Sequence, residues 1–127
     1  MYLQNWRSYL TKLQESLPEV RAVEEQDDTV KLTLWVDGSL DYFNGHFPQA
    51  PILAGVVQLD WAVKYAQQYF SLSSALVDSV EVLKFQVVIV ANSEVELTLT
   101  KKNDNKFTFS FHSEHGQHSS GRVVVHS

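Results

Sequence analysis

The hydrophobic positions change their period several times along the chain. Residues 1–17 place Tyr2, Leu3, Trp6, Tyr9, Leu10, Leu13 and Leu17 at intervals of three and four, which predicts an amphipathic N-terminal helix that Pro18 ends. From Val20 the rhythm shortens to two. Leu32, Leu34 and Val36 alternate with Lys31, Thr33 and Trp35, as in a strand with one buried side. Val20 to Gln26 predicts its neighbour, with Asp27-Asp28 as the turn. A helix follows over residues 53–70, where Val56, Val57, Leu59, Ala62, Val63, Ala66, Tyr69 and Phe70 cover more than one stripe and place it in the interior. The second half is strand-like, with a run from Val80 to Val90, then Val95-Leu97-Leu99, Phe107-Phe109-Phe111 and the pair Val123 and Val125. Asn92-Ser93, Asn103-Asp104-Asn105 and the Gly116 region supply the turns.

This order of elements predicts an α+β architecture in which one curved antiparallel sheet wraps a single long buried helix, with the N-terminal helix as an addition. No linker composition or repeat interrupts residues 1–127, so a single domain is expected. A helix apolar on all sides needs cover that one sheet does not provide, and a second subunit is the expected source. Composition narrows the function. The chain has no cysteine, which excludes disulfides, thiolate metal sites and cysteine nucleophiles and suits a cytoplasmic protein. A net charge of −5 disfavours attraction to nucleic acid or anionic lipid. Apolar runs such as Val87 to Ala91 are far too short to span a membrane, and the N-terminus lacks a signal-peptide layout.

Two residues stand out chemically. Asp60 sits among Val56, Val57, Leu59, Trp61, Ala62 and Val63, where a carboxylate must either be desolvated or change its pKa. A raised pKa would make it a proton donor; an i,i+4 ion pair with Lys64 is the structural alternative. His46 lies in the irregular stretch Asp37 to Ala54, between Phe43-Asn44-Gly45 and Phe47-Pro48. It reads as a packed histidine or as a base, and the loop leads through Gly55 into a helix N-terminus, where unpaired N–H groups can stabilise an oxyanion. His112, His115 and His118 are spaced as metal ligands could be, but an exposed polar turn is the expectation, and no metal site is predicted. Gly-x-Ser-x-Gly, phosphate-cradling glycine loops and His-Glu-x-x-His are all absent.

The run Gly45-His46-Phe47-Pro48-x-x-Pro51-x-x-x-Gly55-Val56-x-x-x-Asp60 resembles the signature of the β-hydroxyacyl acyl-carrier-protein dehydratases of the hot-dog fold. The resemblance implies that His46 removes the α-proton of a 3-hydroxyacyl thioester, that Asp60 assists departure of the hydroxyl, and that the Gly55 N–H binds the thioester oxygen. It further implies that the Ile52 carbonyl holds the histidine tautomer and that Phe47, Pro48, Ile52 and Val56 line the substrate site, with no cofactor. The expected partners are an acyl carrier protein bearing a phosphopantetheine-linked chain and a second hot-dog subunit, as homodimer or heterodimer, because the family builds one site from two chains. Three positions depart from the pattern: Asp60 replaces a glutamate, Ala54 a proline and Lys64 a glutamine. A paired lysine would make Asp60 a poorer acid, so Lys64 is expected to turn away from the site. Gly55-Val56-Val57-Gln58-Leu59-Asp60-Trp61-Ala62 is also similar to the small dehydratases of aryl-polyene and related lipid pathways. Lys84, Lys64, Arg122 and Lys101-Lys102 are the candidate contacts for an acidic carrier. A hot-dog thioesterase and a non-catalytic acyl-binding subunit are the rival readings; His46 together with Asp60 favours the dehydratase over both.

Overall fold

The computed structural model describes residues 17–39 and 52–127. They form strands β1 (Glu19–Gln26) and β2 (Thr29–Val36), helix α1 (Gly55–Tyr69), and strands β3 (Val77–Phe85), β4 (Ser93–Asn103), β5 (Lys106–Ser113) and β6 (Gly116–Val125). All six strands join one antiparallel sheet in the order β1-β2-β4-β5-β6-β3. The three hairpins pair neighbours in sequence. The excursion between β2 and β4 carries the helix and sends β3 to the far edge, beside β6.

Alternation sets the inner face. Val30, Leu32, Leu34 and Val36 of β2 point inward, as do Val95, Leu97 and Leu99 of β4 and the three phenylalanines of β5. Burial of each such side chain is worth roughly 1.5–3 kcal/mol. Register ties them into rows. Leu32 faces Leu97, Leu97 faces Phe111, Phe111 faces Ser119, and Ser119 faces Phe85. That row begins as core and ends, at β6 and β3, beside the first turn of the helix.

Helix α1 has no side-chain cap at Ala54 and stops where Phe70 turns extended, its N–H donating to the Ala66 carbonyl at 2.8 Å. Residues from Val57 to Val63 are buried without interruption, followed by Tyr65 and Ala66. The helix is thus covered within one chain, contrary to the argument that it needs a second subunit for cover. Unpartnered apolar surface lies instead along the sheet edge and just beyond it, at Val82, Phe85, Val87, Val88 and Val90.

Other boundaries shift for local reasons. The run from Val80 to Val90 is not one strand: β3 ends at Phe85, after a register shift between Glu81 and Lys84 where Val82 adopts a φ of 51°. Helix α1 begins at Gly55 rather than 53, because Ile52 bridges Val90 and the Leu53 N–H donates to the Ile89 carbonyl at 2.8 Å. The helix expected over 1–17 lies, save for its last residue, outside the described residues. Among the described residues no helix is long and apolar enough to cross a membrane.

Candidate active site

His46, Phe47 and Pro48 lie outside the described residues, but the chain on either side of them is placed. On the upstream side the Gly38 N–H donates to Asn92 Oδ1 at 2.9 Å, and the Asn92 N–H to the Val36 carbonyl at 2.6 Å. Asp37 accepts the Ser39 N–H at 2.8 Å, which holds its carboxyl below the usual range. On the downstream side Ile52 and Leu53 bond to Val90 and Ile89. Both flanks of the His46 segment are therefore tied to the same stretch, Ile89 to Asn92.

The downstream flank delivers the chain to the helix start, and its backbone geometry fixes where the first donors point. The Ala54 carbonyl accepts the Val57 and Gln58 N–H groups at 3.1 and 3.2 Å. The planar peptide unit sets the Gly55 N–H opposite to that carbonyl, so it points out of the helix. It has no acceptor among the described residues. Around it lies an open cavity of 340 Å³, walled mainly by Ile52, Val56, Phe85, Val87 and Val88. The Phe85 ring rests on Gly55 so closely that a Cβ there would lie 2.6 Å from the ring. Any side chain larger than hydrogen would displace the ring, which is a local reason for glycine at this position. Gly55, Ile52 and Val56 thus line one cavity.

Asp60 is 1 % exposed. Its Oδ2 lies 2.8 Å from Lys64 Nζ, one helical turn on. The expectation that Lys64 turns away is overturned. With i,i+4 spacing both side chains occupy one helix face, and a carboxylate buried there draws the nearest ammonium inward.

Four further residues surround the site, three of them not predicted from the sequence and one, His118, predicted in a different setting. Gln58, 4 % exposed, donates from Nε2 to the Leu53 carbonyl at 3.1 Å, and the Ser119 hydroxyl donates to Gln58 Oε1 at 2.7 Å. Ser119 was detectable as a polar residue in phase with inward-facing Gly121, Val123 and Val125, and Gln58 as a second polar residue in the apolar helix run. Phe85 carried no signal, since its contact with Gly55 depends on the bulge. His118, predicted in an exposed turn, is buried. Its Nδ1 carries the hydrogen, because its 2.9 Å partner is the Val87 carbonyl; Nε2 meets Ser113 Oγ at 2.6 Å. His112 pairs with Glu96 at 3.1 Å, and among the described residues no group of three His, Asp or Glu is placed to hold a metal ion.

The remaining basic candidates divide by location. Lys101 pairs with Asp104 at the β4–β5 turn, whereas Lys84 and Arg122 flank a shallow hollow over β3 and β6, Arg122 lying 3.6 Å from Glu81. A larger hollow of 660 Å³ crosses the sheet around Trp35, Glu94, Glu96 and His112, and no helix residue lines it.

An antiparallel sheet wrapped around one buried helix is the arrangement of the hot-dog fold. The model of the ApeI-like family, ApeI dehydratase, matches residues 22–122, and the chain belongs to that family. It is similar to the dehydratase heterocomplex ApeI:P from Xenorhabdus doucetiae, at 27 % identity and a TM-score of 0.80, over 88 % of this chain and 100 % of that one. An uncharacterized protein from Erwinia carotovora subsp. atroseptica is 30 % identical with a TM-score of 0.64, over 87 % of this chain and 97 % of that one. The dehydratase domain of the polyketide PpsC from Mycobacterium tuberculosis, 13 % identical, shares the fold at a TM-score of 0.66, over 89 % of this chain and 46 % of that one. No curated protein matches in sequence.

Proposed function

We propose that this dehydratase removes water from a 3-hydroxyacyl thioester held on the phosphopantetheine of an acyl carrier protein, giving the trans-2-enoyl thioester. The observation that carries the reading is the outward Gly55 N–H, opening on an apolar cavity at the start of the helix that buries Asp60. An α-proton beside a thioester is too weakly acidic for imidazole unless the developing enolate is stabilised, and a fixed N–H does this without reorganising. His46 takes the α-proton, and the electron pair moves toward the thioester oxygen and the Gly55 N–H. Collapse of the enolate then breaks the C3–O bond, and the leaving hydroxyl takes a proton that the Lys64 ammonium, 2.8 Å from Asp60, passes on through the Asp60 carboxylate, and departs as water. Lys64 then regains a proton from solvent, and His46 releases the α-proton to it.

The reading includes a second hot-dog subunit, identical or related. Two observations support it: the exposed apolar residues Phe85, Val87 and Val88, which line the cavity at Gly55, and the similarity to a protein solved as a heterocomplex. Lys84 directly precedes Phe85, which favours Lys84 and Arg122 over Lys101 and Lys102 as the carrier contact. Aryl-polyene or a related lipid pathway is the proposed setting.

Incubation with a 3-hydroxyacyl carrier-protein thioester, followed by mass, tests the reaction. Loss of one water with the thioester intact is expected, and His46→Ala and Asp60→Asn should each suppress it. Release of free acid would mean a thioesterase, and bound but unchanged substrate a binding subunit.

A further inference from the structure

Gln58 holds two consecutive peptide units ahead of the helix, by two different groups. Its backbone N–H donates to the Ala54 carbonyl at 3.2 Å, and its side-chain Nε2 donates to the Leu53 carbonyl at 3.1 Å. The unit containing the Ala54 carbonyl also contains the Gly55 N–H. The unit before it, containing the Leu53 carbonyl, decides the direction from which the chain enters the helix. No capping side chain assists at Ala54, which is exposed, so this entry relies on Gln58 more than an ordinary helix start relies on any one residue.

Gln58 is itself held. A primary amide can rotate to exchange oxygen and nitrogen, and with oxygen facing Leu53 it would set two acceptors against each other. Ser119 donates to Oε1 at 2.7 Å and fixes the orientation in which nitrogen faces the Leu53 carbonyl. Ser119 has no exposed surface, and it sits on the inner row that continues to Phe85, whose ring lies on Gly55. Sheet and helix thus meet the Gly55 peptide from two sides, by a hydrogen-bonded chain through Ser119 and Gln58 and by an aromatic face.

We infer that Gln58 and Ser119 are positioning residues for the Gly55 N–H, acting through Leu53 and Ala54 without touching substrate. This rests on the proposed role of Gly55 in dehydration. Displacement of a reacting group by about an ångström can cost on the order of a hundredfold in rate. Gln58→Leu and Gln58→Glu both remove the donor to Leu53, the second with nearly unchanged shape, and Ser119→Ala frees the amide to turn. Each should lower kcat about tenfold to a hundredfold while KM stays within about twofold, since the oxyanion contact strengthens only as charge develops.

The test measures kcat and KM for the full chain and these variants, with Ser119→Thr as the conservative rescue, and in parallel the NMR shift and hydrogen exchange of the Gly55 amide. The expected result is a fall in kcat, recovery in Ser119→Thr, and a displaced Gly55 amide in Gln58→Glu and Ser119→Ala. Unchanged kcat in all three disruptive variants overturns the inference, as does a fall in kcat with the Gly55 amide unmoved. A wild-type protein that removes no water overturns the dehydratase reading instead, and the Gly55 amide then still decides whether Gln58 and Ser119 position that peptide.

Discussion

The Asp60–Lys64 pair provides a test that needs no substrate. Asp60 is almost fully buried and the Lys64 side chain is 19 % exposed, so the pair lies far closer to the interior limit than to a surface ion pair. Removing one member of a buried pair typically costs about 3–5 kcal/mol, because the other charge stays in a medium of low polarity. Partial exposure of Lys64 places Lys64→Met near the lower end, at about 3 kcal/mol. With an unfolding entropy of about 2.1 cal/mol/K per residue over 127 residues, that loss corresponds to a Tm roughly 10 °C lower. Asp60→Asn removes the charge that requires compensation, so the double variant should recover about 2 kcal/mol relative to the sum of the singles. Urea unfolding of the four proteins at one fixed concentration gives the coupling directly. Additive single effects below about 0.5 kcal/mol would refute the reasoning and show that Lys64 Nζ remains in solvent.

Three further outcomes follow, two from the packing and one from a titration. An added Cβ at Gly121 would lie 2.8 Å from the ring of Phe109, which is buried and cannot give way, so Gly121→Ala should lose about 1–3 kcal/mol in urea unfolding. Gly55→Ala meets Phe85 even more closely, but that ring is 48 % exposed and can swing outward; stability should change by less than about 1 kcal/mol while dehydration falls. Equal stability losses at the two glycines would contradict this distinction. The Tyr65 hydroxyl is buried with no hydrogen-bond partner among the described residues, and burial pushes its pKa from 10.0 up to about 12. A raised folded-state pKa adds stability that is whole below pH 10 and lost as the pH climbs toward about 12. Tyr65→Phe should therefore flatten the alkaline limb of stability against pH and, by removing an unsatisfied hydroxyl, match or exceed wild type at neutral pH; a loss above about 1 kcal/mol there would show that the hydroxyl has a partner.

How far the sequence spoke depended on whether a feature was periodic or relational. The strands β2, β4 and β5 are legible because inward positions are apolar and outward ones polar at nearly every step, so Leu32, Leu97 and Phe111 announce their shared face before any register is known. Asp60 and Gly55 were legible for a related reason, one as a charge inside an apolar run and the other by its place in a spaced motif. The end of β3 was not. Val82 to Val90 is apolar except at Lys84 and Gln86 and reads as one strand-like run, so its pattern does not show that the chain turns away after Phe85 to let Ile52 and Leu53 pair with Val90 and Ile89. The orientation of Lys64 does not follow from a family pattern in which that position is usually neutral; the i,i+4 geometry of this chain decides it.

The same distinction bears on how the site is built. The motif names the groups proposed to react, whereas the peptide that carries the Gly55 N–H is held by bonds that run from Ala54 and Leu53 through Gln58 to Ser119, from the helix to the sheet. These bonds draw on β6, and the Phe85 contact draws on β3, the strand farthest from β2 in the sheet order. The segment carrying His46 leaves from β2, and both of its flanks are fastened to Ile89–Asn92, which joins β3 to β4. The contact on Gly55 and the flanks of the His46 segment are thus fastened to the two ends of one connector, residues 86–92 between β3 and β4. An insertion or deletion in that connector would move the flanks of His46 relative to Gly55 without touching either, whereas most substitutions on the outer face of β4 or β5 would leave both in place.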